Sequence, residues 1–105
     1  MLLQPVFSNQ KSFYKKAYVL DEAKYNDHLV FVKNKLYSYD TLICIVEEVK
    51  NFKTMTSEKE LFVNKNEDVY TQTTLKHVKE FVKQFYDENI ETNKKMLLSE
   101  EFNKF

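Results

Sequence analysis

One amphipathic segment, Tyr70–Tyr86, constrains the fold of this chain more than any other part of the sequence. Its apolar residues recur at the spacing of one helix face, and they are Leu75, Val78, Phe81, Val82 and Phe85. The pattern predicts a helix over Thr73–Tyr86, with Thr73 or Thr74 as the N-cap whose hydroxyl accepts from a free backbone N–H. Since an apolar helix face must be buried, this helix needs a second element to cover.

The residues before the helix have the composition of short β-strands. Strands are predicted at Ser12–Asp21, His28–Val32, Leu36–Val46 and Glu60–Val63. The third has apolar or aromatic side chains on both faces in its second half, which favours a central position, and Ser38 and Asp40 suggest a bulge or bend in it. Glu22–Asp27 is interpreted as a polar turn, and Asn34 is expected to end the second strand.

The chain contains no glycine. Phosphate-binding loops that need close backbone approach are therefore excluded in their usual forms. Tight turns must use other residues that tolerate positive φ, and Asn and Asp do so best. We expect such turns at Asn26-Asp27, at Asn34 and at residues 64–66.

The chain length of 105 residues predicts a single domain over 1–105. Residues 1–10 form an N-terminal arm, either frayed or added as an edge strand. The pattern allows Glu47–Lys59 to be a short helix or a long hairpin. Residues 87–105 are a C-terminal extension with a short helix, for which Ser99 is a candidate cap. The fold class is α+β: an antiparallel sheet of three to five strands, covered on one face by the main helix.

Composition narrows the functional classes. Sixteen basic and sixteen acidic residues give a net charge of zero, so no strong global field favours nucleic acid. All the basic residues are lysines, which lowers the expectation of sequence-specific base reading. The start of the chain resembles no signal peptide, and no apolar run has membrane-spanning length. The lone Cys44 fits a reducing, intracellular setting, so we expect a cytoplasmic location.

No catalytic, cofactor-binding or metal-binding constellation is evident, and the sequence predicts a protein that is not an enzyme. His28 and His77 stand apart, and a single cysteine excludes a thiolate cluster. Cys44 lies in an apolar run, where a buried thiol is unreactive. The paired carboxylates fall near predicted element ends, where solvation explains them better than acid–base catalysis.

The candidate binding residues are a lysine ridge on the main helix and nearby tyrosines. Lys76, Lys79 and Lys83 recur at helical spacing. They are interpreted first as a solvated face with Glu80 available for pairing, and second as a weak phosphate contact. The second interpretation needs stacking partners around the ridge, and the candidates are Tyr14, Tyr18, Tyr25 and Tyr86.

Three segments resemble small proteins of phages and mobile elements from low-GC bacteria: Lys11–Ala17, Leu36–Cys44 and Tyr70–Phe85. Those proteins carry a Ser-Tyr-x-Thr strand followed by a Tyr-Ser-x-Thr-Thr-x-x-His-x-x-x-Phe helix. The matching residues are Ser38, Tyr39, Thr41, Tyr70, Thr73, Thr74, His77 and Phe81. This chain departs from the pattern by having Thr71 in place of Ser, by lacking the usual turn glycines and by an apparent insertion at Glu47–Lys59.

The resemblance implies a phage or prophage protein that acts inside a bacterial host, and it implies no reaction. Proteins of this class often bind a host protein, including defence nucleases in the anti-CRISPR manner, which makes a host protein the first expected partner. The alternatives are an accessory single-stranded nucleic-acid binder that uses the lysine ridge, and a homodimeric accessory protein whose interface is residues 47–59 or the C-terminal helix.

Overall fold

The computed structural model describes residues 1–105 and has an α+β fold. Its strands are β1 Ala17–Asn26, β2 Leu29–Ser38, β3 Thr41–Asn51, β4 Thr56–Val63 and β5 Asn103–Lys104. Its helices are α1 Gln72–Phe85 and α2 Lys94–Leu98, preceded by a short 3₁₀ turn at Glu67–Val69. The sheet order is β1-β2-β3-β4-β5, antiparallel except for the parallel β4–β5 pair. The predicted class, strand number, main helix and short C-terminal helix are confirmed.

The segment Leu36–Val46 is not the single central strand that its composition predicts. The chain reverses at Tyr39-Asp40, where φ is 50° and 65°, so Ser38 ends β2 and Thr41 begins β3. Two consecutive residues at positive φ are characteristic of a two-residue hairpin turn whose twist matches that of its strands. The alternating pattern was misleading because it continues across this turn.

Other strand boundaries also differ from the sequence prediction. Ser12–Lys16 precedes the sheet as a turn, and β1 instead runs on through the predicted turn at Glu22–Asp27. Asn34 lies inside β2, opposite Val46, and does not end the strand. The open question at Glu47–Lys59 is resolved as a hairpin, since β3 and β4 pair from Asn51↔Thr56 onward. Polar residues within these strands are tolerated because much of the sheet faces water.

The hydrophobic core lies at one end of the sheet, beneath α1. We call the end with the Ser38–Thr41 turn proximal, and the end with the Asn26–Leu29 and Asn51–Thr56 turns distal. The helix buries Val78, Phe81 and Val82 against sheet residues such as Leu36 and Val46. The proximal halves of the strands are buried on this inner face, while residues 20–28 and 52–60 are exposed. The sheet therefore extends beyond the layer that covers it.

Both chain ends are tied to the sheet. Leu3 N–H donates to the carbonyl of Ala17 and Val19 N–H donates to that of Met1, so the N-terminal arm extends the sheet beside β1. At the other end, α2 is followed by Phe102, which is buried in the core, and by β5. Ser99 ends α2 and begins no further helix.

The N-cap of α1 is Thr71, and the prediction of Thr73 or Thr74 is wrong. The Thr71 hydroxyl accepts from the backbone N–H of Thr74 at 3.2 Å, while Thr74 itself is buried and points toward the sheet. The helix therefore begins earlier than its apolar stripe does, because a cap must precede the first turn that it serves.

We expect Thr71→Ala to lower the free energy of unfolding by about 1 kcal/mol, since one donor at the start of α1 loses its acceptor. Thr73→Ala is the matched control, because Thr73 lies on the exposed side of the first turn and makes no side-chain hydrogen bond. Urea denaturation of the two variants checks this prediction. Equal losses, or a larger loss for Thr73→Ala, would contradict the assignment of the cap.

Candidate binding surfaces

A buried polar network joins α1 to the proximal end of β2. The Ser38 hydroxyl lies 2.9 Å from Thr74 Oγ1 and 2.7 Å from His77 Nδ1. The Phe13 ring packs edge-on against the imidazole, with 4.8 Å between ring centroids. Ser38 and His77 are only 2% and 1% exposed, so the pair is closed to a substrate. Three of the residues that carry the sequence resemblance therefore meet here as a link between strand and helix.

The electrostatics of this network favour neutral His77. Burial lowers the pKa of the imidazole from the ordinary 6.5, because a charged ring would lose its solvation. A neutral ring has one donor and one acceptor nitrogen, which suits a chain of hydroxyl partners. The arrangement thus joins the two elements without placing a charge inside the protein.

A second buried polar group, Glu80, holds the N-terminal arm. Its carboxylate accepts from the backbone N–H of Phe7 at 3.0 and 3.1 Å and from that of Ser8 at 2.9 Å. Gln84 donates both to Glu80 and to the carbonyl of Gln4. Glu80 is therefore unavailable to Lys76 and Lys83, and the predicted pairing with those lysines is wrong. The helical spacing was right, but the side chain points toward the arm.

The lysine ridge exists on α1, and a single carboxylate compensates part of its charge. Lys83 and Lys79 lie 2.6 and 3.4 Å from the carboxylate of Glu91 in the segment after α1. Lys83 and, more weakly, Lys79 hold the pKa of Glu91 below its ordinary value. Lys76 is exposed and forms no ion pair. Three lysines beside one carboxylate leave two uncompensated positive charges, which support only weak phosphate binding.

Two of the predicted tyrosines, Tyr18 and Tyr25, lie away from this ridge. Tyr18 lies on the opposite face of the sheet, where it stacks on Tyr37 with 5.1 Å between ring centroids. Tyr25 is at the distal end of β1, and Tyr86 is half-buried at the end of α1 against the core. Tyr14 is exposed in the turn before β1. The sequence contains no signal that these tyrosines are close to the ridge, and their grouping was a hypothesis.

The sheet face opposite α1, which we call the outer face, is covered by no helix. A row of half-buried apolar residues crosses its four long strands, namely Tyr18, Tyr37, Leu42, Ile45 and Phe62. None of them belongs to the core cluster or packs against it, whereas residues of α1 and α2 do.

Toward the distal end, the outer face becomes charged and then apolar again. Lys35 pairs with Glu22 at 3.0 Å, and Lys33 pairs with Glu47 at 3.4 Å. Beyond them, Phe31 and Val49 are exposed and line a groove of about 280 Å³. The alternation of apolar and polar residues in the sequence indicated this face. Because the prediction missed the turn at residues 39–40, it assigned residues of two strands to one.

The remaining candidate chemistry is absent or buried. Cys44 is a free, buried cysteine, and burial raises the pKa of its thiol well above its ordinary value, as the sequence predicted for an unreactive side chain. No cluster of three or more His, Cys, Asp or Glu side chains is placed to bind a metal. None of the helices combines the length and the apolar composition that crossing a membrane requires.

Comparison with known proteins gives one match. Residues 1–99 match the profile of a family of unknown function, DUF8033. No curated protein and no solved structure matches the chain. The matched range includes the N-terminal arm, strands β1 to β4 and both helices.

We expect the stabilisation by neutral His77 to depend on pH. Because folding lowers the pKa of this side chain, its contribution is complete above the unfolded-state value near 6.5 and is lost as pH falls through the lower folded-state value. The measurement is the difference in Tm between the wild type and His77→Gln from about pH 7.5 to about pH 5. The difference should shrink with acidification, whereas His28→Gln, at an exposed turn, should follow the wild type. Parallel curves for His77→Gln would contradict this account.

We expect Glu80→Gln to release the N-terminal arm. The amide keeps the shape of the side chain but removes the charge that strengthens three backbone hydrogen bonds, so the free energy of unfolding should fall by about 2 kcal/mol. Hydrogen exchange at the amides of Phe7 and Ser8 should accelerate. Glu88→Gln, an exposed change just after α1, is the control. Unchanged exchange in the arm would show that the carboxylate does not hold it.

Proposed function

This chain belongs to the DUF8033 family, and we propose that it is a non-enzymatic binding protein whose partner is another protein, bound on the outer face. The observation that carries the proposal is the row of aromatic and aliphatic side chains across four strands that no part of the chain covers. Interfaces between separately folded proteins have this composition, with apolar and aromatic residues surrounded by charged ones.

The charges on the outer face favour a protein over a nucleic acid. Lys33 and Lys35 are each paired with a glutamate of the same face, and Glu60 adds a further carboxylate that receives a hydrogen bond from Asn103. A phosphate backbone approaching this face would meet compensated lysines and at least one extra acidic group. A protein surface with mixed charges meets no such barrier.

The sequence resemblance supplies the proposed source of the partner. For a phage or prophage protein, the partner is a protein of the bacterial host, and a CRISPR-type defence nuclease is the first one to test because small phage proteins often inhibit such enzymes. The lysine ridge, in contrast, has less support as a binding site because Glu91 pairs with both Lys79 and Lys83 and cancels one of its three positive charges.

The test is capture of a bacterial protein by the tagged chain after nuclease treatment, followed by reconstitution with the purified partner. Phe31→Glu places a charge among exposed apolar residues of the outer face, and we expect it to weaken the complex at least tenfold. Tyr25→Glu is the matched control, since Tyr25 is a more exposed aromatic residue of the same hairpin whose register places it on the inner-face side.

A one-to-one complex that tolerates moderate salt and is lost only with Phe31→Glu supports the proposal. Equal binding by both variants would move the interface elsewhere. If the chain forms only dimers with itself and Phe31→Glu weakens them, the partner on the outer face is a second copy of this chain and not a host protein.

A further inference from the structure

Two turns at the proximal end place tyrosines in a backbone conformation that tyrosine does not favour. Tyr14 and Lys15 have φ of 51° and 64°, and Tyr39 and Asp40 have φ of 50° and 65°. The left-handed region is unfavourable for an L-residue, and only Gly, Asn and Asp enter it with ease. Of these four residues, only Asp40 belongs to that group. The other three are more costly to fold than an asparagine would be.

The two turns lie side by side and form one surface, which we call the tyrosine surface: Tyr14, Lys15, Lys16 and Tyr39. The backbone N–H of Tyr39 donates to the carbonyl of Lys16 at 2.9 Å, and the Lys16 ammonium lies 5.9 Å from the centre of the Tyr39 ring. Burial does not explain the tyrosines, because Tyr14 is 75% and Tyr39 51% exposed. The Tyr14 side chain makes no aromatic contact and no hydrogen bond.

An open groove of about 550 Å³ adjoins Tyr39. The exposed hydroxyl side chains among its lining residues are Tyr39, Thr41, Thr71 and Thr73, whereas Ser38 and Thr74 are buried and hydrogen-bonded to each other. Hydroxyls both donate and accept, so they can meet the edge of any base or the hydroxyl of a sugar without strong preference. Asp68 also lines the groove and Asp40 is in the turn, which limits the affinity for phosphate.

From this geometry we infer that the tyrosine surface is a binding site for single-stranded nucleic acid, independent of the outer face. Exposed tyrosine rings provide the faces on which unpaired bases stack, and Lys15 and Lys16 provide the contacts to phosphate. The unfavourable backbone at Tyr14 is then accounted for, because an observed strain that packing does not explain points to a function of the side chain. The Tyr39 ring also lies 6.0 Å from the His77 ring, so packing accounts for part of its placement. The neutral net charge implies weak binding that depends on stacking more than on charge.

The test is fluorescence anisotropy with labelled oligothymidylate and oligouridylate of about 15 nucleotides, with free thymidine monophosphate as competitor. Tyr14→Asn and Tyr39→Asn remove one ring each and place a residue that tolerates positive φ. We expect each to weaken binding about tenfold. Lys15→Gln with Lys16→Gln should also reduce the salt dependence, by about 0.7 in the logarithmic slope per lysine.

The controls are Tyr25→Asn and Lys24→Gln, at the distal end of β1, where Tyr25 is 78% exposed. They should bind as the wild type does. Thermal melting distinguishes a lost contact from a lost fold, since Tyr14→Asn should melt at the wild-type temperature or above it.

Stacking variants that lose binding while the controls keep it would support the inference. The inference would be overturned if the wild type bound neither oligonucleotide at low salt, or if the stacking variants bound as the wild type does. It would also be overturned if the control variants lost as much affinity as the stacking variants. If thymidine monophosphate binds as tightly as the oligonucleotides do, the inference of a single-stranded ligand is wrong, and the ligand is a nucleotide. None of these outcomes alters capture of a protein on the outer face, so the two proposals fail separately.

Discussion

The burial of one helix face against half of a sheet is the interaction on which the rest of the structure depends. The fourteen residues of α1 span about 21 Å, whereas a ten-residue strand spans about 33 Å. Val78, Phe81 and Val82 therefore complete a core over the proximal strand halves only. The distal halves remain exposed, and the whole outer face lies outside the core. The apolar surface that we propose as a protein-binding site is therefore exposed because α1 covers only part of one face of the sheet.

The polar residues of α1 fix the position of the helix on the sheet, which its apolar face alone does not specify. Apolar packing is not directional, so it leaves the position of a helix on a sheet loosely specified. Thr74 and His77 meet Ser38, which sets the helix against the end of β2, and Glu80 holds the N-terminal arm. Each group is buried with its partners in place, so its desolvation is compensated and its removal is costly.

The two proposed binding surfaces have different physical origins. The outer face exposes apolar residues because no second layer covers this side of the sheet, and its composition favours a protein partner. The tyrosine surface exists despite a local energetic cost, because the chain turns without glycine on residues that resist positive φ. The expectation that Asn and Asp would serve all the tight turns holds for Asp27 and Asp40 but is wrong for Tyr14, Lys15, Tyr39 and Met55. Three of these four residues lie at the proximal end, whereas Met55 lies in a distal turn.

The sequence by itself determined the α+β class, the apolar stripe of α1 and the burial of Cys44, because these follow from local periodicity and composition. The strand boundaries could not be predicted from the sequence. The alternation of apolar and polar residues continues through the turn at Tyr39-Asp40, and a strand with one solvent-exposed face tolerates polar residues such as Asn34. Only the tertiary structure decided which side chains meet. Glu80 reaches the arm, Glu91 takes the lysines and Tyr18 faces away from α1, because contacts between residues far apart in sequence depend on how the elements pack, which local patterns do not encode.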